Sequence, residues 1–334
     1  MRFLLRLVLV LLFLTALAAA GGLTYLYAKY PDVPPPSATF KVEATPERVE
    51  RGRYLANHVA VCMDCHTERD FSKSAGPIRH DRFGAGGEKF DNFSAGIPGT
   101  LYSKNITPAA LSTWTDGELL RAVTEGVSKD GTPLFPMMPY PNYGQMAEDD
   151  VTAILAYVRS LAPIESHVPE RSLDVPVNFI VRTIPRKATF GTRPSPSDKV
   201  AYGEYLVMAA SCSECHTPMD GQGQPLPGMS FAGGNEFRDP ELGYRVRVAN
   251  ITPDADTGIG AWTEEQFINK FKGFEIADDH VLTDAERRQN TAMPWRMYAG
   301  MTREDLGAIY AYLRTLKPVV HRVDKWPDAQ ATTR

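Results

Sequence analysis

The feature that most constrains this chain is a pentapeptide that occurs twice, as Cys62-Met63-Asp64-Cys65-His66 and as Cys212-Ser213-Glu214-Cys215-His216. Two thiols three residues apart can form thioethers to the vinyl groups of one haem, while the histidine that follows swings beneath the ring to ligate its iron. The two copies use all four cysteines in the sequence, so no sulfur remains for a disulfide or a separate thiolate site. Structural zinc is the competing reading, and its usual ligand spacings fit less well. Two covalently bound haem c groups are therefore expected, attached through Cys62, Cys65, Cys212 and Cys215 and ligated by His66 and His216.

Laying one half of the chain on the other shows a tandem repeat. Gly52-Arg53-Tyr54-Leu55 precedes the first pentapeptide and Gly203-Glu204-Tyr205-Leu206 the second. Asn105-Ile106-Thr107-Pro108 returns as Asn250-Ile251-Thr252-Pro253, Trp114-Thr115 as Trp262-Thr263, and Met138-Pro139-Tyr140 as Met293-Pro294-Trp295, in the same order. Proline-bearing sequence from 163 to 196 separates the copies. A length of 334 residues suits two domains of ordinary size. A hydrophobic content of 43% can supply their cores. The expected division is 46–163 and 198–318, with a linker at 164–197 and a tail at 319–334. A net charge of −4 with no basic stripe gives no reason to expect a nucleic-acid partner.

Helical signals frame each copy. Val151, Ile154, Leu155, Val158 and Leu161 share one helical face, as do Leu306, Ile309, Tyr310, Leu313 and Leu316, and Pro163 and Pro318 stop the two helices. Thr115 with Glu118, and Thr263 with Gln266, have capping-box spacing and predict a middle helix after each tryptophan. Alternating runs are few, so the fold class is mainly α.

The first thirty residues are a different material. Arg2 and Arg6 precede an apolar run over 7–28, long enough to cross a hydrocarbon core. The positive charges should stay cytoplasmic and send the rest of the chain across the membrane. A cleavable signal peptide competes, because Ala16-Leu17-Ala18 and Ala18-Ala19-Ala20 offer small-residue cleavage sites. The run continues through Leu23, Tyr25, Leu26 and Tyr27, which favours an uncleaved transmembrane anchor over 1–30. Prolines 31, 34, 35 and 36 then make 31–45 a stiff spacer.

Each half resembles a class I cytochrome c domain: Gly-x-Tyr-Leu on a leading helix, the haem-attachment pentapeptide, a long wrap, a methionine followed by proline, and a closing amphipathic helix. Together they are similar to the membrane-bound, multi-haem cytochrome c subunits of bacterial alcohol, aldehyde and gluconate dehydrogenases. Those subunits commonly carry three haems, whereas this chain has motifs for two. The resemblance implies two tandem class I cytochrome c domains after an N-terminal transmembrane helix.

It also implies axial methionines at Met138 and Met293, which lie 72 residues after His66 and 77 after His216. The alternative for both is ordinary core packing. Met137 is a neighbouring rival, and Met146 and Met301 read as packing. By the same resemblance a proline carbonyl should accept from each proximal imidazole, and Pro77 and Pro227 each lie eleven residues after the histidine. Trp114, Trp262, Asn105 and Asn250 become candidates for holding haem propionates, with core packing and a simple turn as their alternatives. His58, His80, His167, His280 and His321 have no indicated ligand role.

Iron held by His and Met has no vacant position, so the expected function is one-electron transfer. The chain would work at the periplasmic face of the bacterial inner membrane, between a dehydrogenase or quinol-oxidising complex and a respiratory acceptor such as a terminal oxidase, without being an enzyme by itself. A dihaem peroxidase with one open haem is the alternative, and matching methionines in both halves argue against it. A third reading makes the chain a subunit relaying charge within one fixed complex. The loops 84–87 and 254–260 read as unequal between the halves, which suggests different partners for each.

Overall fold

The computed structural model describes residues 1–221, 223–276 and 280–329. An apolar helix, Arg2–Lys29, stands away from the rest with none of its side chains buried. At 1.5 Å per residue its 28 residues exceed the roughly 30 Å of a hydrocarbon core. Its end is tied down by Arg182, which donates to the Tyr30 carbonyl at 2.6 Å and stacks its guanidinium 4.2 Å from the Tyr27 ring centre.

The remaining described chain is mainly helical and built around two crossed helix pairs. In the first half the leading helix Pro46–Tyr54 packs on the closing helix Glu148–Arg159; in the second, Lys199–Ala209 packs on Arg303–Leu313. Glycine makes both crossings possible. A Cβ at Gly52 would collide with the Ala153 carbonyl, and one at Gly203 with the Ala308 carbonyl. The middle helices Asp116–Glu125 and Glu264–Lys272 begin with the expected capping boxes. Strands are short: Lys89–Asp91, Gly99–Tyr102 and Ser172–Leu173 form one antiparallel sheet, and Glu236–Arg238 pairs with Arg245–Arg247.

The halves share one continuous apolar core. Leu55, Met63, Met146, Val151 and Leu155 belong to the same buried cluster as Leu206, Met301, Leu306 and Ile309, and each fully buried aliphatic side chain stabilises the fold by about 1.5–3 kcal/mol. A reciprocal polar clasp crosses the junction. Tyr54 of the first leading helix donates to Asp305 at 2.5 Å, and Tyr205 of the second donates to Asp150 at 2.6 Å. Each hydroxyl also accepts a backbone N–H from the partner half, Thr302 and Ala147 respectively.

Each closing helix is followed by a strap. After the first, Ser166 donates to the Ala85 carbonyl at 2.5 Å, 172–173 adds a strand, and Arg193 reaches Asp150 at 2.6 Å. After the second, the His321 ring donates to the Ala232 carbonyl at 2.8 Å, and Arg245 pairs with Asp328. The segment read as a linker is thus bonded along its length to the first half.

The leading helices differ by one residue. Gly52 to Cys62 spans ten positions and Gly203 to Cys212 nine. A π-helical turn over Leu55–Val59, closed by the Ala60 N–H on the Leu55 carbonyl at 2.8 Å, absorbs the extra residue. Its counterpart bond, from the Ala210 N–H to the Leu206 carbonyl, is an ordinary α-helical one.

Candidate haem-attachment sites

Each pentapeptide folds as a single helical turn, Cys62–Cys65 and Cys212–His216, opened by a residue in the left-handed region, Val61 at φ 44° and Ser211 at φ 54°. Non-glycine residues occupy that region at a cost of about 1–3 kcal/mol, so its repetition marks a position that the surroundings enforce. One turn brings residues i and i+3 to the same face, which sets both thiols of a pair towards one side. All four thiols are free. Burial pushes Cys62 and Cys212 up to about 12 and Cys215 up to about 11. A zinc site would need thiolates, and among the described residues no three His, Cys, Asp or Glu side chains gather to hold an ion.

The histidines are held from behind. His66 Nδ1 donates to the Lys104 carbonyl at 2.7 Å, and His216 Nδ1 to the Ala249 carbonyl at 2.8 Å. A carbonyl can only accept, so the proton is fixed on Nδ1 and the Nε2 lone pair is left for a ligand, the arrangement that an iron-bound imidazole needs. Burial lowers the affinity of both rings for a second proton, taking His216 down to about 4. The donor set therefore fits haem c: two neutral thiols on one face and a neutral imidazole presenting Nε2.

These acceptors correct the expectation for Pro77 and Pro227. The Pro77 carbonyl accepts instead from the Asp70 N–H at 2.9 Å, and equal spacing from the histidine did not bring either proline carbonyl to the ring. Lys104 and Ala249 each directly precede the Asn-Ile-Thr-Pro loop, and this explains the loop. Asn105 Oδ1 accepts from the Thr107 N–H and hydroxyl, both at 2.8 Å, while its amide donates to the Ile164 carbonyl at 2.8 Å. Asn250 does the same with Thr252, at 2.9 and 2.8 Å, and with Val319, at 2.8 Å. Both asparagines are spent on fixing a turn to the strap behind it, so they position the carbonyl under the histidine rather than offering a free donor to a propionate.

A second repeated element escaped the sequence reading. The Gly86 N–H donates to the His66 carbonyl at 2.8 Å and the Gly233 N–H to the His216 carbonyl at 2.7 Å. Ala85-Gly86-Gly87 is thus the counterpart of Ala232-Gly233-Gly234, with φ of 70° and 105° matched by 72° and 108°. The loop at 84–87 is shared by the halves, and the real inequality is the longer turn at 254–260. Tyr143 and Tyr298 were also missed. Each is buried near its pair of cysteines and donates at 2.9 Å to the carbonyl two residues before the first of them, Ala60 or Ala210. Their signal was present, since each lies five residues after its methionine.

Met138 and Met293 are both partly buried against the core, and each carbonyl accepts from the N–H two residues on, Tyr140 at 2.7 Å and Trp295 at 2.8 Å. Met146 and Met301 are core residues, at 0% and 1% exposure. The Met293 loop is braced by the opposite half. Arg69, itself paired with the buried Asp64 at 3.1 Å, donates to the Ala292 carbonyl at 3.2 Å. Asn290 donates to the carbonyls of Phe71 and Lys73, each at 3.1 Å. Near Met138 the reverse contact is slighter, with Asn142 donating to the Ser211 hydroxyl at 3.0 Å. Trp114 packs on the core, whereas Trp262 is exposed and lines a cavity of about 360 Å³ with Gln266 and Lys270. His58 lies in the π-helical turn and binds the Met297 carbonyl at 2.9 Å.

Residues 200–317 match the cytochrome c family model. The chain is similar to the cytochrome c subunit of alcohol dehydrogenase (quinone) from Gluconacetobacter polyoxogenes, 29% identical over 81% of this chain and 56% of the relative. The fructose dehydrogenase cytochrome subunit of Gluconobacter japonicus is 27% identical over 80% and 52%. The gluconate 2-dehydrogenase cytochrome c subunit of Pantoea cypripedii is 26% identical over 82% and 60%. The chain spans about half the length of the curated relatives it matches. It carries a cytochrome c domain and is homologous to dehydrogenase cytochrome c subunits, and the peroxidase alternative gains no support from these relatives.

Proposed function

We propose that this protein is a dihaem c-type cytochrome, tethered to the inner membrane by Arg2–Lys29 with its haem domains in the periplasm, that carries single electrons from a dehydrogenase towards a respiratory acceptor. The observation that carries the reading is the duplication of the whole imidazole support: Nδ1 on a backbone carbonyl, the Asn loop that fixes that carbonyl, and the glycine N–H on the histidine's own carbonyl occur at matched places in both halves. Haem, when bound, supplies iron that cycles between its ferric and ferrous forms.

The protein's part is to hold and orient. Cys62, Cys65, Cys212 and Cys215 would hold haem through thioether links, and His66 and His216 would bind its iron through Nε2. Met138 and Met293 would supply the second ligand to each iron, each presented by a Met-Pro turn. With His66 and Met138, and His216 and Met293, all holding iron, no position would be left for oxygen or peroxide, and the chemistry supplied would be electron transfer rather than bond-making. Similarity to dehydrogenase subunits supports a dehydrogenase as donor. A quinol-oxidising complex as donor and a terminal oxidase as acceptor fit the same coordination.

The test is the absorption spectrum of the haem-loaded protein in both oxidation states, with carbon monoxide and peroxide titrated in. Two low-spin haems, a ferric methionine-to-iron charge-transfer band and no binding of either reagent are expected. A high-spin fraction that binds carbon monoxide would remove one methionine from the ligand set and restore the peroxidase reading.

A further inference from the structure

The strap that follows the first closing helix contains a stretch that its own half does not cover. Val175 is 74% exposed and Ile180 50% exposed. Val177, Phe179 and Ile184 are only half-buried, while Val181, at 1% exposure, is fully covered. From 175 to 187 the charged residues are Arg182, Arg186 and Lys187, with no acidic residue among them. Exposed apolar side chains interleaved with cations, and nothing negative, is the composition of an element that lies in a membrane interface.

Its position points the same way. Arg182 is bonded to the Tyr30 carbonyl and stacked on Tyr27, so the stretch begins where the apolar helix Arg2–Lys29 ends. Tyr27 and Tyr30 are placed as interfacial aromatics would be at the end of a span, and Arg182 then stands at headgroup level. Cations at that level are attracted to anionic lipids within a Debye length of the surface.

We propose that residues 175–187 form a second membrane contact, resting in the headgroup region of the anionic bilayer that Arg2–Lys29 crosses. This rests on the tethered reading of that helix. With a helix at one point and a strap beside it, the haem-bearing body has a fixed face towards the bilayer.

The experiment uses the full-length, haem-loaded chain in liposomes containing phosphatidylglycerol. Single spin labels are introduced through Val175→Cys, Ile180→Cys, Leu12→Cys in the apolar helix, and Val320→Cys as an exposed site in the second half. Collisions with oxygen and with a water-soluble nickel complex are read for each. Labels at 175 and 180 should gain oxygen collisions and lose nickel collisions relative to 320, and Arg186→Glu with Lys187→Glu should shift them back towards that control. If 175 and 180 behave like 320 while 12 is in lipid, the second contact is refuted and the anchor stands. If 12 is also in water, the anchor reading itself has failed. Labels shielded from both reagents only after a partner protein is added would make the stretch a protein-binding face and overturn the proposal.

Discussion

The two halves solve the same problem with the same backbone and different surroundings. Each carries a glycine at its helix crossing, an asparagine turn that aims a carbonyl at the proximal ring, and a glycine pair closing on the histidine. Around these the chemistry diverges. Asp150 is held by Tyr205, by Arg51 through two bonds of 3.0 Å, and by Arg193, whereas Tyr202 stands where Arg51 has its counterpart beside Asp305. Glu88 accepts the Arg69 N–H at 3.0 Å, and Asn235 accepts the Met219 N–H at the matching place at 3.2 Å. The Met293 loop is braced by the first half far more than the Met138 loop is braced by the second. The parts that touch His66 and His216 are repeated, and the parts that set charge and rigidity are not.

The largest test separates the haem sites. Replacing Cys62 and Cys65 by alanine, or Cys212 and Cys215, should halve the haem per chain measured by pyridine haemochrome. The first pair should also weaken the methionine charge-transfer band of the haem that remains, because the 69–76 loop bracing Met293 lies against that site, while the second pair should leave the remaining band intact. Equal effects would break the claimed asymmetry.

Helix crossing comes next, and here the halves should agree. Gly52→Val and Gly203→Val each drive a side chain into a facing carbonyl, and each should cost about 3 kcal/mol, the upper end for overpacking, in denaturant unfolding. Because the core is continuous, unfolding should remain a single transition in both variants.

The clasp should then split them. Asp150→Ala strips the partner from two guanidiniums and should cost roughly 2–3 kcal/mol, below the figure for a fully buried pair because Arg51 and Arg193 are partly exposed. Asp305→Ala removes hydrogen bonds without stranding a guanidinium and should cost about 1 kcal/mol. Burial would raise the Asp150 carboxyl, but the hydrogen bond and charge of Arg51 hold it below its ordinary value. Its stabilisation is therefore complete above the ordinary carboxylate value of about 3.9 and is lost as pH falls through the lower folded value.

The last test is read along the pH axis and concerns Glu88. Burial pushes it up to about 7, against a partial offset from the charge of Arg69. A carboxyl raised in the folded state binds its proton more tightly there than when unfolded. Stability should then fall as pH rises from 4.5 to about 7, by at most about 1.4 kcal/mol per unit. Glu88→Gln, which gives the first half a neutral amide like Asn235, should flatten that slope in thermal unfolding across the same window.

Much of this architecture is legible in the chain. The pentapeptides, the glycines of the crossings, the capping boxes at Thr115 and Thr263, and the buried face of Val151, Ile154, Leu155 and Val158 all leave side-chain signatures. The histidine acceptors do not, because they are backbone carbonyls of Lys104 and Ala249, two residues with nothing in common as side chains. The proline spacing was a coincidence of position. The glycine pairs leave a weak signal because Gly84 stands opposite Phe231, so the match between the halves starts only at Ala85 and Ala232. The strap looked like a linker because proline-rich sequence advertises stiffness and says nothing about what it lies against.

The π-helical turn has a consequence for how the two copies are read against each other. An extra residue in a regular helix would turn everything beyond it by about 100°, since 3.6 residues complete a circle. Leu55–Val59 takes up that phase error within one widened loop of the spiral, so Val61 and Ser211 arrive at the same left-handed corner. An alignment of the two repeats should therefore open its gap inside a helix, opposite His58, and leave both flanks in frame.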